Sequence, residues 1–235
     1  MPTTPQGFAK RVDRLRADLV DQGRRVQELL ESAFDAVFKR DEGAADRVIA
    51  ADDLIDRVDV DIERAAVQLL TDATREGANL EPRQLRDVLM MVKINNELER
   101  AADAACSIAE RVDNFLAIQG AIPETFRVMA NSVVGLVRDV NRAFERADGG
   151  LARVVLQSED CVEAFKAAIL RDCEERLVAR TMPVDFAFAL HEIASQCERV
   201  ADYCSNIAEQ VIYAATGAVV RHQQGHWVEV PRVAS

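Results

Sequence analysis

The chain contains few of the residues that interrupt helices and few of the large aromatic residues. Its 235 residues include 10 glycines, 6 prolines and 5% aromatic residues, whereas 49% are hydrophobic. Alanine and arginine, two strong helix formers, are among the commonest residues, and this composition favours long helices over strands. We therefore expect an all-α protein with enough apolar side chains to bury a substantial core.

The chain also lacks an excess of positive charge and any long apolar run. Its formal net charge is −11, which argues against general binding to nucleic acid, because such binding requires a basic surface. No run approaches the roughly 18 apolar residues of a membrane span. The first residues do not have the apolar centre of a signal peptide. We therefore expect a soluble cytoplasmic protein that does not bind nucleic acid.

The few cysteines and histidines lack the spacing of zinc sites and of catalytic pairs. The five cysteines mostly fall where a helix would bury them, so we expect reduced thiols in the core or at its boundary. No histidine follows a glutamate by three residues, which disfavours a ferritin-like, carboxylate-bridged metalloenzyme as the alternative function. No glycine-rich phosphate loop occurs. The residues therefore predict a protein that is not an enzyme.

Apolar residues recur at three- and four-residue steps along six long segments, which predicts six amphipathic helices. Glycines follow several of these segments, and prolines stand where the third, fourth and sixth helices begin. Short links between long helices imply antiparallel neighbours. We expect two tandem antiparallel three-helix bundles over residues 1–120 and 121–217, followed by an irregular tail over 218–235.

An internal repeat supports the division into two units. The stretch VKINNELERAADAACSIAERV at 92–112 recurs as HEIASQCERVADYCSNIAEQV at 191–211. A second correspondence relates DDLID at 52–56 to EDCVE at 159–163. Both copies of the longer stretch contain Glu-Arg-x-Ala-Asp, as Glu99 with Asp103 and as Glu198 with Asp202.

The repeated carboxylates are predicted to lie on the outer faces of their helices. An apolar series from Met91 to Phe115 marks the bundle-facing stripe of the third helix. At about 100° per residue, Glu99 lies roughly 130° from the centre of that stripe. We use acidic ridge for a row of carboxylates along the outer face of one helix. Such ridges on two neighbouring helices would place four carboxylates on one surface of each unit. Such clusters suit hard cations, namely Mg²⁺, Mn²⁺ or Ca²⁺, with iron as an alternative, although most charged ridges are solvated surface.

The pattern E-R-x-x-D-x-x-x-x-I-A-E, which occurs once in each unit, resembles the PhoU family of bacterial phosphate-uptake regulators. Chain length, helix order and the DDLID segment agree with this resemblance. It implies homodimers and metal ions (Mg, Mn, Ca, Fe or Zn) held on the bundle surface. It also matches Asn206 to a recurrent family asparagine. The implied metal ligands are Asp52, Asp56, Glu99 and Asp103 in the first unit, and Glu159, Glu163, Glu198 and Asp202 in the second.

The same resemblance implies a non-enzymatic negative regulator of phosphate uptake and of phosphate-starvation signalling. Such a protein would act as an adaptor between the phosphate ABC transporter ATPase and a membrane sensor histidine kinase, and would reach the membrane only through these partners. An accessory role with another phosphate or ion transporter is the alternative. Some residues depart from the family pattern: Ala102 and Ala201 replace glycine, Ser107 replaces asparagine, and Glu163 replaces aspartate.

Overall fold

The structure is a computed structural model that describes residues 5–116, 121–223 and 226–230. Six long helices occur in the predicted order, which confirms the all-α prediction. A short fourth helix and a two-stranded sheet complete the described elements. In chain order they are α1 (Pro5–Lys39), α2 (Glu42–Arg75), α3 (Pro82–Ala109), α4 (Val112–Leu116), α5 (Glu124–Arg146), α6 (Gly149–Val178), α7 (Val184–Thr216), β1 (Val219–Gln223) and β2 (His226–Val230).

Equivalent helices of the two units begin with similar residues. At the start of α2, the Asp41 carboxylate accepts a hydrogen bond from the Ala44 backbone N–H at 2.9 Å. At the start of α6, Asp148 accepts from the N–H groups of Gly150 and Leu151 at 2.9 and 3.0 Å. These bonds satisfy amides that have no partner within the helix. Because the same residue type caps both helices, the internal repeat extends to helix initiation.

The third predicted helix is shorter than its apolar pattern suggested. We expected it to continue to about Gly120, but α3 ends at Ala109 and the chain resumes a helix at Val112. The N–H of Glu110 donates to the Cys106 carbonyl, and the N–H of Arg111 donates to the Ile108 carbonyl three residues before it, so the last turn tightens before α4 begins. The predicted boundary between the units, at Gly120, lies outside the described residues.

The segment after α7, which we expected to be irregular, contains an antiparallel hairpin. Strand β1 pairs with β2 in a register that places Val219 opposite Val230 and Arg221 opposite Val228. This part of the chain lacks helical periodicity, but its valines favour strands because branching at Cβ suits an extended backbone. The irregular-tail prediction is therefore wrong for 219–223 and 226–230.

The two units pack side by side through α3 and α7. These helices run antiparallel, because Arg111 near the end of α3 pairs with Glu192 near the start of α7 at 3.1 Å. At the opposite end, the Arg86 guanidinium lies 5.8 Å from the centre of the Tyr213 ring. The buried side chains of both units form one continuous core. The α3–α7 interface therefore joins the two units, and we call it the seam.

The predicted bundle-facing stripes are buried, which confirms the assignment of the inner faces. Every member of the series from Met91 to Phe115 is buried, and so is the corresponding series of α7 from Ile193 to Val211. Cys173, Cys197 and Cys204 are buried free thiols, Cys106 is half-buried, and Cys161 is exposed. Within the described part of the chain, no helix is both long enough and apolar enough to cross a membrane.

Candidate functional site

Two sets of carboxylates meet at the surface of the first unit. One is the acidic ridge of α2, formed by Asp52, Asp56 and Asp59, and the other is the pair Glu99 and Asp103 of α3. Burial, followed by the charges of Asp103, Asp59, Asp56 and Asp52 in that order of importance, raises the pKa of Glu99 to about 7. Each of these aspartates therefore lies close enough to Glu99 to act on its charge. We call Asp52, Asp56, Asp59, Glu99 and Asp103 the first acidic group.

Asp52 is the least satisfied member of the first acidic group. It is half-buried, and its Oδ1 atom has no hydrogen-bond partner among the described residues. Burial raises its pKa, and the charges of Asp56 and Asp103 add to the effect, whereas a hydrogen bond from the Cys106 thiol opposes the rise. Burial and the Asp52 carboxylate raise the pKa of the neighbouring Cys106 to about 12, so that thiol is protonated at neutral pH. A buried carboxylate oxygen without a donor is an atom that a cation would satisfy.

Asn95 fixes Asp59 in position from inside the bundle. The side chain of Asn95 is only 1% exposed. Its Nδ2 atom donates to Asp59 Oδ1 at 2.6 Å and to the Asp59 backbone carbonyl at 3.0 Å. Because the amide belongs to α3 and its acceptors to α2, these bonds set the position of one acidic ridge against the other. Asn95 was not among the predicted site residues, although a polar residue beside a buried stripe is a recognisable signal.

The first acidic group opens onto a groove that also includes the second unit. The groove has a volume of about 710 Å³, and its walls include Asp52, Glu99 and Asp103 together with Arg199 and Tyr203 of α7. Burial and the Asp56 charge raise the pKa of Asp103, whereas the Arg199 guanidinium opposes the rise. The seam between the units therefore forms one wall of the first site.

The second unit brings three of its four predicted carboxylates together. Burial, followed by the charges of Glu159 and Glu198, raises the pKa of Asp202 to about 6. The Ser205 hydroxyl donates to Glu159 Oε2 at 2.7 Å. Glu163 is exposed and is not among the charges that act on Asp202. We call Glu159, Glu163, Glu198 and Asp202 the second acidic group.

A lysine lies within the second acidic group. The Lys166 ammonium donates to Glu198 Oε2 in an ion pair. Its charge also opposes the rise in the pKa of Asp202. Sequence reasoning missed this residue because it compared carboxylates spaced four apart. Extending the alignment of 52–56 with 159–163 by three residues would have placed Lys166 opposite Asp59.

Asn206, which the family resemblance associated with the second motif, contacts the other unit. Its Nδ2 atom donates to Glu97 Oε2 of α3 at 3.2 Å. The asparagine therefore bridges the seam between α7 and α3. Its described contact is with Glu97, which belongs to neither acidic group.

In neither acidic group are the carboxylates close enough together to coordinate one metal ion as they stand. Among the described residues, no three histidine, cysteine, aspartate or glutamate side chains are arranged to hold one metal ion. Carboxylates four residues apart on a helix repel one another. Binding an ion in the first acidic group would therefore require its carboxylates to move closer together.

Both three-helix units match one known domain. The family profile described as PhoU domain matches residues 19–112 and again 126–211. The phosphate-specific transport system accessory protein PhoU homolog 1 of Thermotoga maritima is 30% identical over 215 residues, which cover 89% of either chain. The PhoU homolog of Pseudomonas putida is 29% identical over 92% of this chain and 84% of its own.

Solved structures have the same fold. PhoU from Pseudomonas aeruginosa superimposes with a TM-score of 0.82 at 25% identity, over 89% of this chain and 99% of the other. The phosphate transport system regulatory protein PhoU from Streptococcus pneumoniae superimposes with a TM-score of 0.83 at 22% identity, over 92% and 100% of the two chains. The whole pair of bundles is therefore shared, and not one unit alone.

Proposed function

Because this chain belongs to the PhoU family, we propose that it regulates phosphate transport as an accessory protein of a phosphate-specific transport system. The observation that carries this proposal is the double domain match, one for each three-helix unit. Relatives that match over nearly their whole length carry the name of that accessory protein. The chain therefore contains two PhoU domains, one in each three-helix unit.

Within this role, the protein acts as a non-enzymatic adaptor between the transporter ATPase and a membrane sensor histidine kinase. It dampens phosphate import and the starvation response. Long helices with whole faces in solvent support this role, because they offer extended surfaces to protein partners. Self-association as a homodimer would repeat those surfaces by two-fold symmetry.

We further propose that the first acidic group binds divalent metal. Its five carboxylates offer the oxygen ligands that Mg²⁺, Mn²⁺ and Ca²⁺ prefer. Asp52 Oδ1 supports the proposal, because this buried oxygen has no donor within the described chain. A bound ion would neutralise carboxylates whose charges now repel. It would also change the charge of a groove that both units line.

A genetic test can separate the regulatory role from the metal site. Deleting the gene should derepress a phosphate-starvation reporter in phosphate-rich medium, and the wild-type gene should restore repression. A double variant with Asp56→Asn and Glu99→Gln should restore it less well, if the metal site contributes. Unchanged reporter expression in the deletion strain would exclude the regulatory role. Affinity purification should recover the phosphate transporter ATPase and the kinase, whereas recovery of a different transporter would favour the alternative partner.

A further inference from the structure

The two acidic groups differ in one residue that changes the charge of the site. In α2, Asp59 lies seven residues after Asp52, and in α6, Lys166 lies seven residues after Glu159. Seven residues span about two helical turns, so each occupies the same face as the carboxylate that precedes it. The first group therefore has a fifth carboxylate where the second has an ammonium.

The Lys166 ammonium lies among the carboxylates that were predicted as metal ligands in the second acidic group. Its ammonium pairs with Glu198, the first carboxylate of the α7 motif. The lysine side chain is only 19% exposed although lysines generally extend into solvent. Its charge also acts on Asp202, the second carboxylate of that motif. The ammonium thus pairs with Glu198 and acts on Asp202 through its charge.

The half-buried carboxylate of Glu159 in the second group also has a partner within the chain. Ser205 donates to Glu159, and it occupies the position that Cys106 has in the first motif. A hydroxyl is a stronger hydrogen-bond donor than a thiol. In the first group, by contrast, the donor beside Asp52 is the Cys106 thiol, and Asp52 Oδ1 has no hydrogen-bond partner among the described residues. Glu159 and Glu198 of the second group therefore have strong donors within the chain, whereas Asp52 Oδ1 of the first group does not.

We propose that Lys166 acts as a tethered cation in the second acidic group, so that this chain binds metal through its first unit only. The inference rests on the proposed metal site of the first unit. A divalent ion entering the second group would have to displace the ammonium from Glu198 and would be repelled by it. The two halves of the repeat therefore have different roles. The first unit binds metal, and the second retains the ion pair of Lys166 with Glu198.

The experiment measures bound Mn²⁺ per chain by equilibrium dialysis and elemental analysis, using the full-length protein after removal of metal with a chelator. Asp56→Asn in the first group should remove most of the bound Mn²⁺. Asp202→Asn in the second group, its matched control, should leave the wild-type value unchanged. A loss of Mn²⁺ from the Asp202→Asn protein would overturn the inference.

Reciprocal substitutions test the role of the lysine directly. Lys166→Asp should create a second site, so the variant binds more Mn²⁺ than the wild type. That gain should disappear when Asp202→Asn is added. Asp59→Lys should abolish binding in the first unit, since it introduces the tethered cation there. A Lys166→Asp variant that binds no additional Mn²⁺ would overturn the inference.

The test also distinguishes the inference from the proposal beneath it. If wild-type protein binds no Mn²⁺ but Lys166→Asp does, the proposed first site fails while the role of Lys166 stands. Circular dichroism verifies that each variant is folded. If Lys166→Asp does not fold, Lys166→Gln removes the ammonium without adding a charge. That variant should also gain Mn²⁺, and an absence of gain would count equally against the inference.

Discussion

Asn141 of α5 donates a hydrogen bond from its side-chain amide to the backbone carbonyl of Gly23 in α1, at 2.7 Å. The helices approach so closely here that a Cβ atom on Gly23 would lie 2.5 Å from Asn141 Oδ1. On the neighbouring turn, Arg24 pairs with Glu145 at 2.9 Å. The units are therefore joined at α1 and α5 by a specific polar contact as well as by the shared core.

Gly23→Ala should destabilise the protein by about 1–3 kcal/mol, because the added methyl must displace the Asn141 amide from a packed interface. Urea denaturation followed by circular dichroism measures the loss. Gly135→Ala is the matched control, because its Cβ would have only the Arg138 Nη2 atom nearby, at 3.9 Å. That variant should gain up to about 1 kcal/mol from higher helix propensity. Equal stability of the two variants would contradict the close approach.

The metal-free protein should respond to pH through Glu99. Burial and neighbouring carboxylates raise its pKa from 4.5 to about 7, so the folded state binds a proton more readily than the unfolded state. The resulting stability is fully present below pH 4.5 and is lost as the pH rises through 7. Glu99→Gln should therefore raise the melting temperature relative to wild type at pH 8 and leave it unchanged near pH 4.

A carboxylate with the opposite shift provides the control for this pH dependence. Hydrogen bonds from Arg11 and Gln68 lower the pKa of Asp72. Its contribution to stability is therefore present above its unfolded pKa of 3.8 and is lost as the pH falls through the lower folded value. Asp72→Asn should lower the melting temperature at pH 7, where Glu99→Gln does not. The same direction of change in both variants at that pH would refute the assignment.

Metal should reverse the effect of Glu99→Gln at pH 8. Without metal the substitution removes a repelled charge and stabilises the fold. With Mn²⁺ in excess, wild-type protein should gain about 2.7 kcal/mol at an ion concentration one hundred times the Kd, and the variant should gain less. Thermal melts with chelator and with Mn²⁺ measure both effects. A variant that remains more stable than wild type in saturating Mn²⁺ would argue against Glu99 as a ligand.

The β-hairpin should depend on one ion pair with α7. Glu209 is 9% exposed, and burial raises its pKa, while the Arg221 guanidinium opposes the rise. Arg221 of β1 donates directly to the Glu209 carboxylate. Arg221→Ala should cost about 1–3 kcal/mol, because a nearly buried carboxylate loses its partner. Hydrogen exchange should then accelerate in 219–223.

A second substitution distinguishes loss of the ion pair from loss of packing at the hairpin. Adding Glu209→Gln to Arg221→Ala removes the unpaired charge and should recover part of the stability. No recovery in the double variant would indicate that Arg221 acts through its aliphatic stem alone.

Local periodicity predicted most of the fold because the burial of a helical residue depends on its position around the helix axis. The stripe from Met91 to Phe115 and its counterpart in α7 could be read from the sequence, and both are buried. The break after Ala109 and the hairpin could not be read in this way. The apolar pattern continues through the break, and the hairpin contacts α7 through the ion pair of Arg221 with Glu209, which lie on different elements.

The site was predicted less completely than the fold. Placing Glu99 and Asp103 outside the bundle requires only helix geometry, and Glu99 is half-buried while Asp103 is exposed. The Asn95–Asp59 contact and the entry of Arg199 into the groove join residues that are far apart in the chain. Counting acidic pairs within one helix could not find them, since each contact depends on how two helices are placed.

The sequence by itself determined the six long helices, their inner and outer faces, and the repeat that places acidic ridges on both units. These properties follow from residue type and from the angle between successive side chains. Only the tertiary structure decided that Asp52 Oδ1 is buried without a donor and that Lys166 turns towards Glu198. The reason is physical: burial and charge pairing are set by atoms on neighbouring helices, so two similar motifs can have different surroundings.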